Sequence, residues 1–307
     1  MRHKLMGITT LIAALLVASP ILSCKAANNA QSGRQGRQPD GSWDDSEFTG
    51  YANLDDGRTG VFIYTASRYK SRGDGGLFGF GTPYHVENDV IIGAFDFERL
   101  EFRALYRATQ RKGADGRTAV SILSSCGQKL LLYAKDSQEC SLPEGGPYYL
   151  FDAALRSLIA IPLQEEMESN GMTVGWIRVV CGDGTLMFRT AALQNRNRNW
   201  AQDPSIPMEL WVRHPSGDYI HVATTREFTG IRGNELFYRS PEGNFAFDFE
   251  SNQTRKVSRA VFGGPWERGA DQGIYAYRND LFWHDKNPDG STTRTKLEVD
   301  PRALKLD

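Results

Sequence analysis

Histidine and cysteine are scarce in this 307-residue chain, with five of one and four of the other. Beyond residue 3 the histidines are His85, His214, His221 and His284, at no metal-ligating spacing and without an H-E-x-x-H pair, which excludes a zinc centre of that type. No G-x-S-x-G, Walker or G-x-G-x-x-G context occurs. The Gly-rich stretch 73–81 lies between strand-like runs and opens no helix, so it offers no phosphate cradle. Neither sign of charge is in excess: 36 basic and 37 acidic residues give a net of −1. That balance argues against nucleic acid or an anionic membrane face as partner. Helix signals are nearly missing, and Gln164–Ser169 is the one short candidate. What remains is a chain rich in glycine (31) and aromatics (16 Phe, 12 Tyr, 6 Trp), a composition that suits turn-rich β structure.

The N-terminus reads as a targeting segment. Met1-Arg2-His3-Lys4 is a basic start, and Leu5–Val17 is an apolar run too short to span a bilayer comfortably. Ile21-Leu22-Ser23-Cys24 follows, and it resembles the lipobox of bacterial lipoproteins. The resemblance implies removal of residues 1–23, lipidation of Cys24 and, because Lys25 follows and not Asp, an outer-membrane destination. The alternative is a plain secretory signal cut near Ala26-Ala27. Residues 24–46 are polar and rich in Gly, Gln and Ser, and read as a flexible tether before a body at 47–307.

That body repeats. Glu227–Val261 holds four β-type runs, Phe228–Ile231, Glu235–Arg239, Asn244–Phe249 and Arg255–Val261, parted by Arg232-Gly233-Asn234, Ser240-Pro241-Glu242-Gly243 and Glu250-Ser251-Asn252-Gln253. Pieces recur elsewhere in the same order. Glu47-Phe48-Thr49-Gly50 equals Glu227-Phe228-Thr229-Gly230, and Ala94–Glu98 equals Ala246–Glu250. Apolar-aromatic runs at Val61, Leu130, Leu186, Leu236 and Leu281 mark one strand of each unit, with Cys126-Gly127 and Cys181-Gly182 ahead of two of them. Five units of four strands, labelled A to D within each unit, follow in sequence at about 45 to 60 residues apiece, the signature of a β-propeller with four-stranded blades. Five blades are resolved and six is the alternative count; a large β-sandwich or barrel is the alternative fold.

Under this phasing the long connections are all of the D–A or B–C kind and open on one face: Arg68–Asp89, Arg107–Thr118, Lys135–Pro147, Gln164–Met172, Ala191–Pro207 and Phe262–Gly273. That face is expected to bind a protein or glycan, through Arg196, Arg198 and Trp200 in one loop and Trp266, Glu267, Arg268 and Asp271 in another. An exported hydrolase on the same face, or a structural subunit of an envelope assembly, are the alternatives. Asp96, Asp152 and Asp248 recur from unit to unit, so a turn-forming role is expected of them and not a catalytic one. Asp285, Asn287 and Asp289 match half of a calcium loop, but Lys296 stands where the closing acid belongs, so a Pro-Asp-Gly turn is the simpler reading. No cofactor is expected. Of the remaining cysteines, Cys126 and Cys140 are expected to pair, with Cys126–Cys181 as the alternative.

Overall fold

A computed structural model describes residues 41–306 apart from 73–81, 199–202, 204, 226, 260–271, 278 and 288. Five antiparallel sheets follow one another along the chain. The first contains β1 (Trp43–Asp44), β2 (Glu47–Asn53), β3 (Thr59–Arg72), β4 (Thr82–Asp96) and β5 (Glu101–Ala108). The second contains β6 (Ala119–Cys126), β7 (Lys129–Lys135), β8 (Tyr148–Asp152) and β9 (Ser157–Ile161). After the short helix α1 (Leu163–Ser169) comes the third, with β10 (Met172–Val179), β11 (Leu186–Ala192), β12 (Glu209–Arg213) and β13 (Tyr219–Thr224). The fourth contains β14 (Glu227–Arg232), β15 (Glu235–Ser240), β16 (Gly243–Asp248) and β17 (Thr254–Val257). The fifth has only β18 (Gln272–Tyr277), β19 (Asp280–Lys286) and β20 (Thr292–Leu297). Apart from β1, which pairs with β3, each sheet pairs sequential strands, so the fold is all-β, a β-propeller of five sheets among the described residues.

The second strand of each sheet explains the apolar runs in the sequence. Leu130 and Leu132 face sheet 1, in one cluster with Val61, Ile63 and Ile92, while Leu131 between them faces sheet 3, beside Val179 and Phe188. Strand alternation therefore serves two cores at once, which is why the run is apolar throughout. Likewise Met187 packs with Ile231 and Leu236 of sheet 4, and Phe62 with Ile274 and Leu281 of sheet 5. Sheet 5 thus returns to sheet 1. There Ile274 N–H donates to Asn53 Oδ1 at 2.8 Å, and Gly60 is required, since a Cβ would sit 2.6 Å from Ile274.

The repeated tetrapeptide has a geometric cause. Pairing of β2 with β3 skips one residue between Phe48 and Gly50, and pairing of β14 with β15 skips one between Phe228 and Gly230. The same β-bulge falls between Ile122 and Ser124 in β6 and between Val174 and Trp176 in β10, without the shared sequence. The recurring aspartates also have one job. Asp96 Oδ1 accepts from the N–H groups of Glu98 and Arg99, Asp152 Oδ1 from Ala154 and Leu155, and Asp248 Oδ1 from Glu250 and Ser251. Four residues after each aspartate the chain turns left-handed, at Leu100 (φ 57°), Arg156 (φ 52°) and Asn252 (φ 58°). These are C–D turns built alike on side-chain capping of the backbone.

Three expectations need correction. Arg68–Asp89 is not a long loop: β3 runs on to Arg72 and β4 starts at Thr82, so most of the stretch is a two-stranded ribbon. The folded body starts before residue 47. Trp43 stacks on Tyr69 at 5.6 Å, and Asp44 takes a two-pronged ion pair from Arg302 at 2.8 and 3.0 Å. The Cys126–Cys140 disulfide is absent, because the two residues lie beyond opposite ends of β7, a strand about 20 Å long. Cys140 is buried and its thiol donates to Asn88 O at 2.9 Å, with its pKa pushed up to about 11 by burial. Cys126 and Cys181, also free, are raised by burial to about 11 and about 12.

Candidate functional site

An open cavity of about 1090 Å³ lies between the innermost strands of sheets 1, 2 and 3 and one face of sheet 5. β2 contributes Tyr51 and Asn53, β6 contributes Ser124 and Ser125, β10 contributes Arg178, and sheet 5 contributes Tyr275, His284 and Arg294. Asp55 and Gly57, from the A–B turn after β2, also line it. In sheets 1, 2 and 3 the cavity adjoins the ends of the inner strands that carry the short A–B turns, while in sheet 5 it reaches Ile274 and Tyr275 near the start of β18 and Thr292 at the start of β20. Bulged inner strands shape it, because a bulge bends the strand that carries it and re-aims the side chains that follow.

Its charge is lopsided. Two guanidiniums, Arg178 and Arg294, and the imidazole of His284 face one carboxylate, Asp55, among the described lining residues. That carboxylate is already engaged, since Asp55 Oδ2 accepts from Gly127 N–H at 2.6 Å and so ties sheet 1 to sheet 2. The arginines are held on aromatic faces. Arg178 lies 5.3 Å from the Trp176 ring, which Arg189 approaches to 5.6 Å, and Arg294 lies 5.8 Å from the Tyr275 ring. Tyr275 in turn stacks on Phe282 at 5.2 Å. Burial pulls the Arg178 pKa below its usual value, yet a guanidinium stays charged at any physiological pH. Cations fixed on rings lose little freedom when an anion arrives, and a partly desolvated site strengthens their attraction for it.

The residues singled out from sequence are placed differently. Arg196 pairs with Glu168 of α1 at 3.0 Å, and Arg198 pairs with Asp203 in its own loop. Trp200, Trp266, Glu267, Arg268 and Asp271 lie outside the described residues, as does Cys24. Asn287 donates to Ser291 and Thr293 hydroxyls, and Asp289 Oδ1 accepts from Ser291 N–H at 2.8 Å, so both serve the β19–β20 turn; Asp285 pairs with Thr293 in the ladder. His214 meets Asn252 at 2.9 Å and His221 meets Glu209 at 2.6 Å. A smaller cleft of about 420 Å³ opens between sheets 3 and 4 at the end of the strands that carries Pro207 and Pro241, with Met208, Thr225, Glu227 and Arg239 also lining it.

No protein-family model and no curated protein matches the chain. Solved structures similar to it are propellers of several activities. An oligogalacturonate lyase from Vibrio parahaemolyticus has a TM-score of 0.37 at 9% identity, over 81% of this chain and 66% of that one. The β-propeller domain of the Trilobed protease from Pyrococcus furiosus has a TM-score of 0.29 at 9% identity, over 83% and 82%. Regucalcin, a calcium-binding protein from Agrobacterium tumefaciens, has a TM-score of 0.28 at 10% identity, over 81% and 73%. The fold assignment rests on the chain's own strand order, and no site is transferred from these proteins.

Proposed function

We propose that this propeller is a non-catalytic binding module that holds an anionic saccharide in the cavity lined by sheets 1, 2, 3 and 5 while a lipid on Cys24 keeps it at the cell envelope. The observation that carries this reading is the cavity itself: two ring-mounted guanidiniums and an imidazole against a single carboxylate that is already hydrogen-bonded. Tyr51, 46% exposed, supplies a ring face on which a sugar can stack. A two-carboxylate glycosidase site needs paired acids about 5 to 9 Å apart, and the described lining offers one acid. The lipobox-like Ile21-Leu22-Ser23-Cys24 supports the anchor, and a lipid contributes about 0.8 kcal/mol of membrane affinity per buried CH₂.

Calorimetric titration tests the cavity. A hyaluronan tetrasaccharide is expected to bind, neutral maltotetraose is not, and Arg178→Gln should weaken binding about tenfold, the equivalent of about 1.4 kcal/mol. Equal binding of both sugars, or none of either, refutes the reading. For the anchor, Cys24→Ala should abolish incorporation of a clickable palmitate analogue and release the protein from membranes.

A further inference from the structure

Among the described residues sheet 5 stops one strand short. Sheets 2, 3 and 4 each have four strands, and sheet 1 has β2–β5 with β1 added. After Leu297 the chain does not turn back to lie beside β20. It crosses to sheet 1, where Val299 and Leu304 join the cluster around Phe62 and Phe95, and Ala104 N–H of β5 donates to Lys305 O at 3.3 Å. No described strand pairs with the outer edge of β20, and Thr292, Thr293, Arg294, Thr295 and Lys296 are all exposed. The edge is straight: β19 and β20 pair in one register from Leu281–Leu297 to Lys286–Thr292 without a bulge, and β20 holds no proline or glycine. It thus lacks two of the devices that blunt an edge, and presents about three outward N–H and three outward C=O groups.

What it does carry is positive charge. Arg294 and Lys296 alternate with threonines, and Lys296 already meets Asp280 at 2.9 Å, which shows that a carboxylate fits beside it. Charge also selects against a second copy of this chain. Antiparallel pairing of two β20 strands about Thr295 would set Arg294 opposite Lys296 twice, and like charges directly opposite are destabilising. An acidic strand in the same position gains at both places. We propose that the outer edge of β20 is a strand-addition site, taking an extended acidic segment of a partner protein as the fourth strand of sheet 5.

Selection of phage-displayed random dodecapeptides on the intact protein tests this. Enriched peptides are expected to combine β-branched residues with Asp or Glu. A synthetic copy of the best one should slow amide hydrogen exchange across 292–297 at least tenfold. Lys296→Glu should weaken that peptide about tenfold, with Lys296→Gln intermediate, while Arg178→Gln, which alters only the cavity, should leave it unchanged. Because Arg294 also lines the cavity, it is left intact here. Enrichment without an acidic bias, protection elsewhere, no enrichment, or concentration-dependent pairing of the protein with itself each overturns the proposal.

Discussion

Sheet 2 and sheet 5 are built from similar hairpins and end in opposite conditions. Sheet 2 is covered on both faces: Leu130 and Leu132 look one way, Leu131 the other, and all three are at most 2% exposed. Sheet 5 is covered on one. Leu281 and Trp283 pack toward sheet 1, while Tyr275, Phe282 and the 59% exposed Tyr277 stand on the other face, which the cavity partly shares. In this fold sheet 2 holds two cores together and sheet 5 keeps one face available for binding.

The largest test of that contrast is a pair of truncations. Leu131→Ala should cost about 2–5 kcal/mol because it leaves a cavity in a two-sided core, whereas Phe282→Ala, removing a ring packed on one side, should cost well under half as much. Chemical denaturation of both would expose an equal loss, and equality would mean sheet 5 is as enclosed as sheet 2. Next is the closure between sheets 5 and 1. Gly60→Val, which forces a side chain into Ile274, should cost about 1–3 kcal/mol, and a companion Ile274→Ala should recover part of it if the clash is the cause.

A smaller effect is expected at the Asp44–Arg302 pair. Burial opposes ionisation of Asp44, but hydrogen bonds from Arg302 and Ser46 outweigh it and hold the carboxyl below its usual pKa. A depressed carboxyl pKa stabilises the fold above the unfolded value near 4, and that contribution disappears as pH falls through the folded value. Asp44→Asn should therefore be less stable than the parent by about 1–2 kcal/mol at pH 7, with the gap closing below pH 4. A gap that persists at pH 3 would show that shape and not charge holds this contact. The smallest expected change is a gain. Leu100 adopts φ 57° in an exposed turn, so Leu100→Gly should stabilise by up to about 1 kcal/mol, seen as a higher melting temperature.

Strands, their grouping and the C–D turns were legible because each leaves a local mark. Alternation, Gly and Pro punctuation and a repeated aspartate all act within a few residues. Glu47–Gly50 and Glu227–Gly230 were visible as identities, yet their meaning as bulges was not, since β6 and β10 make the same bulge from Ile122-Leu123-Ser124 and Val174-Gly175-Trp176. The cavity left no mark at all. Its lining draws Tyr51, Ser124, Arg178 and Arg294 from four sheets, and none of them sits in a motif. The ribbon was hidden for a different reason: its strands carry the half-buried Arg68, Lys70 and Glu87 and the buried but polar Ser67 and Asn88, so the apolar alternation that betrays a strand is missing.

Asp44 and Arg302 touch, so the two ends of the folded body meet on sheet 1. The order of the five sheets then has its seam at a point that chemistry could move. Bridging residues 41 and 306 with a short flexible linker and opening the chain at the Arg232-Gly233-Asn234 turn would yield a permutant with the same sheets in a different chain order. The start of the propeller is in that sense a property of its synthesis and not of its architecture.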